Sequence, residues 1–404
     1  MKIIPRIVAI CLGFTLAPVL AKAPWGTIES YDIFLQPPDS VVNLLERPSR
    51  ETEWHFFGQT HESIDRILDQ VGLIPASHPE LARAKRLSHG AHMVLLPSDD
   101  TVANLAPESR RVLCRELASY EDNYYQRHPV VFEHGDIKSW FENSELRPDL
   151  LPLIEQLSWP DGPDRYLTDV PFLLGYAKSA AEEQMMLRAV SQRRTTIARL
   201  KLTKESDLAT ITNYWSAGAK AKDVLPLLES IARNPEVERL DLAHLLPPTP
   251  RKHLNLFPIL EDGRRGRFPD AYWTALNFLN FYPAPIYQDT STVDTYVRQR
   301  YRPLDQRESF QFGDLILVIR QANNRAVHSC VYLADNLVYT KNGSQIFEPW
   351  VVQTIGDMLA HHRLGDQLGV VGWRDKTVPT TSQPAPMRLP DSIGNLNGVE
   401  VILP

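Results

Sequence analysis

The chain has 404 residues, of which 43% are hydrophobic and 23% are charged. This composition can form ordinary globular cores, and the length favours two domains. The formal net charge is -6, which argues against nucleic acid as the main partner because such binding needs a positively charged surface.

The N-terminal segment has the pattern of a cleavable secretory signal peptide. Lys2 and Arg6 form a short positive region, and residues 7–20 are apolar and uncharged. Such a run suits a signal peptide and is shorter than the about 20 residues of a comfortable membrane span. Small residues place the expected cleavage after Ala21, with a second pattern two residues later and an uncleaved anchor as alternatives. We therefore expect residues 1–21 to be removed and the protein to be exported, either periplasmic or secreted, with no membrane span left.

The three cysteines leave two arrangements open. Cys11 lies inside the apolar run, so a lipid-anchored N-terminus is not expected. An exported compartment permits a disulfide between Cys114 and Cys330, while two buried unpaired thiols are at least as compatible with the sequence. No paired Cys/His spacing predicts a zinc site, and no cofactor is expected.

Residues 24–246 are predicted to form a mostly helical domain. Apolar residues at helical spacing, together with cap residues, predict five helices, which begin near Thr60, Pro107, Ser179, Asp207 and Val224. The region has no repeat of fixed period and resembles no family, so its role stays open.

Residues 247–268 are predicted to be a linker. Three prolines within residues 247–250 cannot continue a helix, and residues 261–267 are polar and rich in arginine. Such a basic cluster is typical of a solvated loop, although it could also guide an anionic wall polymer.

Residues 269–376 combine one helix with several strands. The helix is predicted over 271–279 with Asp270 as its N-cap, and strands are predicted over 315–319, 327–333, 337–341 and 370–374. The tail, residues 377–404, is predicted to be loose, although residues 398–403 could return as an edge strand. The predicted fold class is α+β, with a mostly helical N-terminal domain before a helix packed on a small antiparallel sheet.

The strand over 327–333 presents a candidate catalytic histidine. Because side chains alternate along a strand, His328, Cys330 and Tyr332 share one face, opposite a largely apolar face. A histidine held on a strand can act as a general base. Taken alone, a hydrogen-bonded structural histidine is the commoner explanation.

The surroundings of His328 resemble the NlpC/P60 family, which has a papain-like cysteine hydrolase fold. Gly313 and Asp314 precede a strand, and His328 opens a run that ends Val-Tyr-Leu, as in the family pattern. In that family a cysteine starts a helix well before the histidine. The helix here starts at Ala271, 57 positions before His328, and the family's third polar position falls on Thr340.

The resemblance implies a site at the start of that helix. A helix N-terminus stabilises a thiolate, His328 would exchange the proton, and Thr340 would orient the imidazole ring. The residues expected to line or support a binding cleft are Asp270, Trp273, Asp314, Tyr332 and Asn342.

The chain departs from the family pattern at its reacting positions. Ala271 has no nucleophile, which removes covalent catalysis by the family's route. Thr340 is a weaker orienter than the usual histidine or asparagine. Cys330 replaces a glycine on the same face as His328, which makes it the alternative nucleophile, with a buried structural thiol as the competing explanation.

Three functional hypotheses follow. The first is an exported NlpC/P60-like pseudoenzyme that binds peptidoglycan peptides of a bacterial cell wall or an exported partner protein. The second is an active amide hydrolase or acyltransferase that uses Cys330 and His328. The third is an interaction protein that acts through its helical N-terminal domain. A cleft filled by Tyr272 and Trp273 would indicate a scaffold.

Overall fold

The structure, a computed structural model, describes residues 23–44, 51–73, 79–216, 221–234, 236–263, 267–363, 366–378, 389 and 393–403. The predicted signal peptide lies outside these residues, as do parts of the arginine-rich segment and of the tail. Within the described ranges, no helix is long and apolar enough to cross a membrane.

The N-terminal part mixes strands with helices, so the prediction of a mostly helical domain is wrong. Its strands are β1 Thr27–Leu35, β2 Trp54–Phe57, β3 Lys85–His89, β4 His92–Leu96, β5 Val130–Phe132, β6 Trp159–Asp161, β7 Asp164–Leu167, β8 Arg193–Lys201 and β9 Arg239–Asp241. They form three antiparallel sheets with the orders β1-β8-β9, β2-β4-β3 and β5-β7-β6.

The predicted N-terminal helices are confirmed, and others lie between them. The helices are α1 Asp39–Val42, α2 His61–Gln70, α3 Pro79–Arg83, α4 Asp99–Asn104, α5 Pro107–Leu117, α6 Tyr124–Arg127, α7 Ile137–Phe141, α8 Leu151–Leu157, α9 Val170–Leu174, α10 Ala180–Val190, α11 Leu208–Trp215 and α12 Ala221–Arg233. Thr60, Ser179 and Asp207 each cap a helix by accepting a backbone N–H, as their side chains predict.

The proline run starts a helix. Helix α13 covers Pro248–His253 and has proline in its first turn, where the missing N–H costs no hydrogen bond because that donor is unpaired in any helix. The prolines end the preceding segment as predicted, and residues 248–253 within the predicted linker are helical.

The C-terminal part is built on a sheet larger than predicted. Its helices are α14 Ala271–Leu276, α15 Val293–Arg300 and α16 Ile355–Arg363, and its strands are β10 Tyr301–Pro303, β11 Leu315–Arg320, β12 Arg325–Ala334, β13 Leu337–Thr340, β14 Val351–Thr354, β15 Leu368–Asp375 and β16 Gly394–Asn395. The order is β10-β15-β11-β12-β13-β14, with β16 parallel to β15 as the seventh strand.

The four predicted C-terminal strands are confirmed as β11, β12, β13 and β15. The expected edge strand over 398–403 is reduced to an isolated bridge between Arg325 and Ile402. Val401 and Leu403 on either side of it are buried in the core, so the end of the chain is held by packing more than by a hydrogen-bond ladder.

One apolar core crosses the predicted linker. It joins Trp25, Leu200 and Trp215 of the N-terminal part to α14 and to one face of the seven-stranded sheet. A smaller core lies on the other face of that sheet, beneath α16. The two faces of this sheet therefore have different partners, and this decides what the predicted site residues meet.

Candidate functional site

Helix α14 begins as the sequence predicts. Asp270 has extended backbone, and its Oδ1 accepts a 2.8 Å hydrogen bond from the Trp273 N–H, which confirms it as the N-cap. Burial raises the pKa of Asp270, while this hydrogen bond and the charge of Lys341 lower it. Ala271 follows as the first helical residue and is only 5% exposed, so the position that matches the family's nucleophile is a buried methyl group.

The seven-stranded sheet presents its residues alternately to α14 and to α16. Leu315 and Leu317 of β11 belong to the core that contains α14, as do Val331 and Leu333 of β12. Their neighbours along the two strands belong to the core beneath α16, namely Ile316, Val318, Cys330 and Tyr332. This is the two-residue alternation of a sheet that is covered on both sides.

His328 lies on the α16 face. It is paired with Val318 across the β11–β12 ladder, is 2% exposed, and stacks on His362 of α16 with ring centroids 4.0 Å apart. Its Nε2 lies 2.8 Å from Thr340 Oγ1. Burial holds the pKa of His328 well below its usual value, and the neighbouring His362 and His361 lower it further, so the ring is neutral at pH 7.

The structure therefore brings two of the predicted catalytic residues together and leaves the third apart. His328 and Thr340 are in contact across the β12–β13 hairpin. Helix α14, which Ala271 begins, packs on the opposite face of the same sheet. The histidine therefore does not face the start of this helix, as the resemblance to the NlpC/P60 family had implied.

Cys330, the alternative nucleophile, is fully buried. It is 0% exposed, and burial raises the pKa of its thiol far above the ordinary value. Cys114 is also buried, and both are free thiols, which answers the open question of a disulfide between them. A neutral thiol that solvent cannot reach is a poor nucleophile.

The residues that do face α14 were missed from the sequence. Ser329 pairs with Leu317 of the α14 face, and its buried Oγ has no hydrogen-bond partner among the described residues. Lys341 is 0% exposed, and its Nζ lies 5.9 Å from the Trp350 ring centroid. Burial lowers its pKa to about 7, and its Nζ donates to the carbonyls of Gly343 and Gln345. The sequence signal that could have identified Ser329 is the alternation of side chains along the strand, which places it on the face opposite His328.

Three of the predicted binding residues are structural. Asp314 and Arg374 are both buried and form a bidentate ion pair at 2.8 and 2.6 Å. The Tyr332 hydroxyl donates to the Asp335 carbonyl at 3.2 Å. Asn342 Nδ2 donates to Gln353 Oε1 at 2.8 Å. Each contact satisfies a polar group within the fold, although Asn342 Oδ1 and Gln353 Nε2 are buried without a hydrogen-bond partner among the described residues.

Trp273 is the predicted binding residue that borders an open groove. A cavity of about 420 Å³ runs along the flank of α14. Its lining includes Pro248, Thr249, Lys252, His253, Glu261, Asp262, Pro269, Trp273, Phe281, Tyr282, Pro283, Pro285 and Gln288. Phe281 and Tyr282 are 65% and 81% exposed, which is unusual for such large side chains.

The floor of this groove is held rigidly. The His253 ring lies 5.7 Å from the Trp273 ring and 4.6 Å from the Trp350 ring, centroid to centroid. Trp350 Nε1 donates a 3.0 Å hydrogen bond to Thr274 Oγ1 of α14. Aromatic groups fixed in this way form a surface that needs little ordering when a ligand binds.

No protein-family model, curated protein or solved structure matches the chain in the comparisons made.

Proposed function

We propose that the protein is an exported binding protein that does not hydrolyse its ligand and holds a cell-wall peptide in the groove beside α14. The observation that supports this most directly is an open aromatic groove next to a helix whose first residue is Ala271. The exported location, periplasmic or extracellular, is part of the proposal and follows from the N-terminal sequence pattern.

The proposed absence of hydrolysis is supported by where the reactive groups lie. Cysteine hydrolases need a thiolate and an imidazole within hydrogen-bond reach, beside a position that the substrate can occupy. Here Ala271 supplies no thiol, Cys330 is buried with a raised pKa, and His328 is buried against His362. These positions favour binding over hydrolysis.

The lining of the groove suits a peptide with charges of both signs. Phe281 and Tyr282 offer exposed ring faces and edges for apolar and amide groups. Lys252 can meet a carboxylate, and Glu261 with Asp262 can meet an ammonium group. The peptide stems of a bacterial cell wall, which the family resemblance suggests, carry both kinds of group.

The test is calorimetric titration with soluble peptidoglycan peptides. We expect Phe281→Ser to weaken binding at least about tenfold, because it removes a large exposed contact surface. Phe57→Ser is the matched control, since Phe57 is 62% exposed on β2, outside the groove lining. Equal affinities for the two variants, or no heat from the unchanged protein, would count against the groove as the binding site.

A further inference from the structure

A second polar site lies in the N-terminal part, where strands β2 and β4 meet the loop after α5. His55 and His92 lie diagonally across this antiparallel pair, because His55 is opposite Val94 and His92 is opposite Phe57. Diagonal neighbours on one face are within reach of each other's side chains. His55 Nδ1 and His92 Nε2 are 3.0 Å apart, and Asp122 Oδ2 lies 3.4 Å from His92 Nε2.

We propose that His55 Nδ1, His92 Nε2 and Asp122 Oδ2 bind a zinc ion. Each of the three residues offers one ligand atom, and these atoms lie within 4.8 Å of one another. Zinc binds imidazole nitrogen and carboxylate oxygen at about 2.0–2.2 Å in a tetrahedron, so neighbouring ligand atoms should be about 3.3 to 3.6 Å apart. The two observed separations match this spacing within a few tenths of an ångström.

The site is held in place before any ion binds. Asn123, which is 2% exposed, accepts from the His55 N–H at 2.9 Å and donates to the His55 carbonyl at 2.7 Å. Its Nδ2 also donates to the Leu117 carbonyl at the end of α5. These bonds fix the loop that carries Asp122 against β2, and a fixed ligand loop loses little entropy on binding.

Glu53 supplies the outer contact that metal-binding histidines usually have. Its Oε2 lies 3.2 Å from His55 Nε2, on the far side of the ring from the proposed ligand atom. A proton on Nε2 that is shared with this carboxylate leaves the Nδ1 lone pair free for the ion. Carboxylate–histidine pairs of this kind orient the ring and increase the basicity of the ligand nitrogen.

Three protein ligands leave a fourth zinc position, which faces a cavity. His55, Glu53 and Asp122 line a space of about 550 Å³, whose other walls include Tyr124, Gln126 and Phe347. In zinc sites with three protein ligands, the fourth position holds water or a donor atom of the ligand. A small molecule with a carboxylate or similar oxygen donor fits this position.

The test is titration of tag-free, chelator-treated protein with Zn²⁺ in competition with a chromophoric chelator. We expect one equivalent to bind, His92→Asn and Asp122→Asn to weaken binding at least about tenfold, and Glu53→Gln to weaken it by about 10- to 100-fold. His61→Asn, a change at an exposed histidine outside the cluster, should leave the affinity unchanged.

A second measurement separates loss of ligation from loss of folding. With Co²⁺ in place of Zn²⁺, the unchanged protein should show the intense visible bands of tetrahedral coordination, and His92→Asn should lose them while keeping its circular dichroism spectrum. Binding of no zinc, or zinc binding that survives His92→Asn, would overturn the site and leave a plain hydrogen bond between two histidines.

Discussion

At the scale of single residues, the side of the sheet on which a side chain lies decides what it can do. His328 and Ser329 are adjacent in sequence, yet one stacks on His362 and the other belongs to the face that α14 covers. A strand reverses its side chain at every residue. Chemistry at Ala271 must therefore use groups on the Ser329 side of the sheet, where Lys341 and His253 both lie beside Trp350.

This placement predicts that a cysteine introduced at position 271 will not give catalysis. Ala271→Cys should leave peptidoglycan peptides uncut, as judged by mass spectrometry after incubation, because no imidazole of β12 faces the new thiol. The unchanged protein serves as the parallel control. Cleavage by Ala271→Cys alone would mean that His328 reaches the start of α14 and that the two faces are misassigned. Cleavage by both proteins would instead make Cys330 the nucleophile to examine.

At the scale of elements, α16 and β12 are joined through a pair of neutral histidines. The His328 and His362 rings stack at an interplanar angle of 27°. Burial lowers the pKa of His362 to about 3 and, together with the two neighbouring histidines, holds that of His328 well below its usual value. His362 as a whole residue is half-buried, but its Nε2 is buried without a hydrogen-bond partner among the described residues.

The stacked pair predicts a loss of stability in mild acid. As the pH falls below about 6.5, histidines in the unfolded chain gain protons, whereas the buried rings of the folded chain stay neutral. Each ring therefore lowers the free energy of unfolding by up to about 1.4 kcal/mol per pH unit. His362→Phe keeps a ring in the stack and removes one of the two groups. Urea denaturation between pH 6.5 and 5 should therefore show a smaller decrease in the free energy of unfolding for His362→Phe than for the unchanged protein.

The control for this comparison is His61→Phe, at an exposed position at the start of α2. Its free energy of unfolding should decrease with pH as much as that of the unchanged protein. Equal slopes for the unchanged protein and His362→Phe would mean that His362 takes up its proton as readily in the folded chain as in the unfolded one.

Which elements the sequence could predict depended on how apolar and how long they are. The run over 315–319 is continuously apolar and was predicted correctly as β11. Strand β1 alternates poorly, because several of its successive residues are exposed. Strands β5, β6 and β9 have three residues each, too few to show a period of two. The N-terminal sheets were therefore missed while the capped helices between them were found.

The candidate sites show the same division between local and distant information. His328 and Thr340 belong to one hairpin, and their predicted spacing corresponds to a real contact. The face of the sheet that α14 covers is set by packing between distant segments, and a change of one residue in register reverses it. His55, His92 and Asp122 come from two strands and a loop, so no local Cys/His spacing could reveal them.

At the scale of the whole molecule, the two predicted domains share a core. The Tyr214 hydroxyl donates to the Leu333 carbonyl at 2.7 Å, and the Trp215 ring lies 5.1 Å from that of Phe312. On the other side, the Tyr166 hydroxyl donates to the Ala360 carbonyl at 2.7 Å, and Glu133 lies 3.1 Å from His361. The domain boundary near residues 247–268 stays a prediction, and the apolar core includes residues from both sides of it.

This shared core predicts that residues 267–404 will not fold alone. Without Trp25, Leu200, Tyr214 and Trp215, the α14 face of the sheet would be exposed to water, and an apolar patch of that size favours aggregation. We expect the fragment to bind a hydrophobic dye and to unfold without a cooperative transition, while the whole protein unfolds cooperatively under the same conditions. A sharp transition for the fragment would establish an independent C-terminal domain.

The bridge between Arg325 and Ile402 bears on when the protein can finish folding during synthesis. The Ala326 N–H donates to the Ile402 carbonyl at 2.9 Å, and Val401 and Leu403 are buried in the same core as Trp25. The first and last described segments therefore belong to one core, which cannot close until residues 401–403 have left the ribosome.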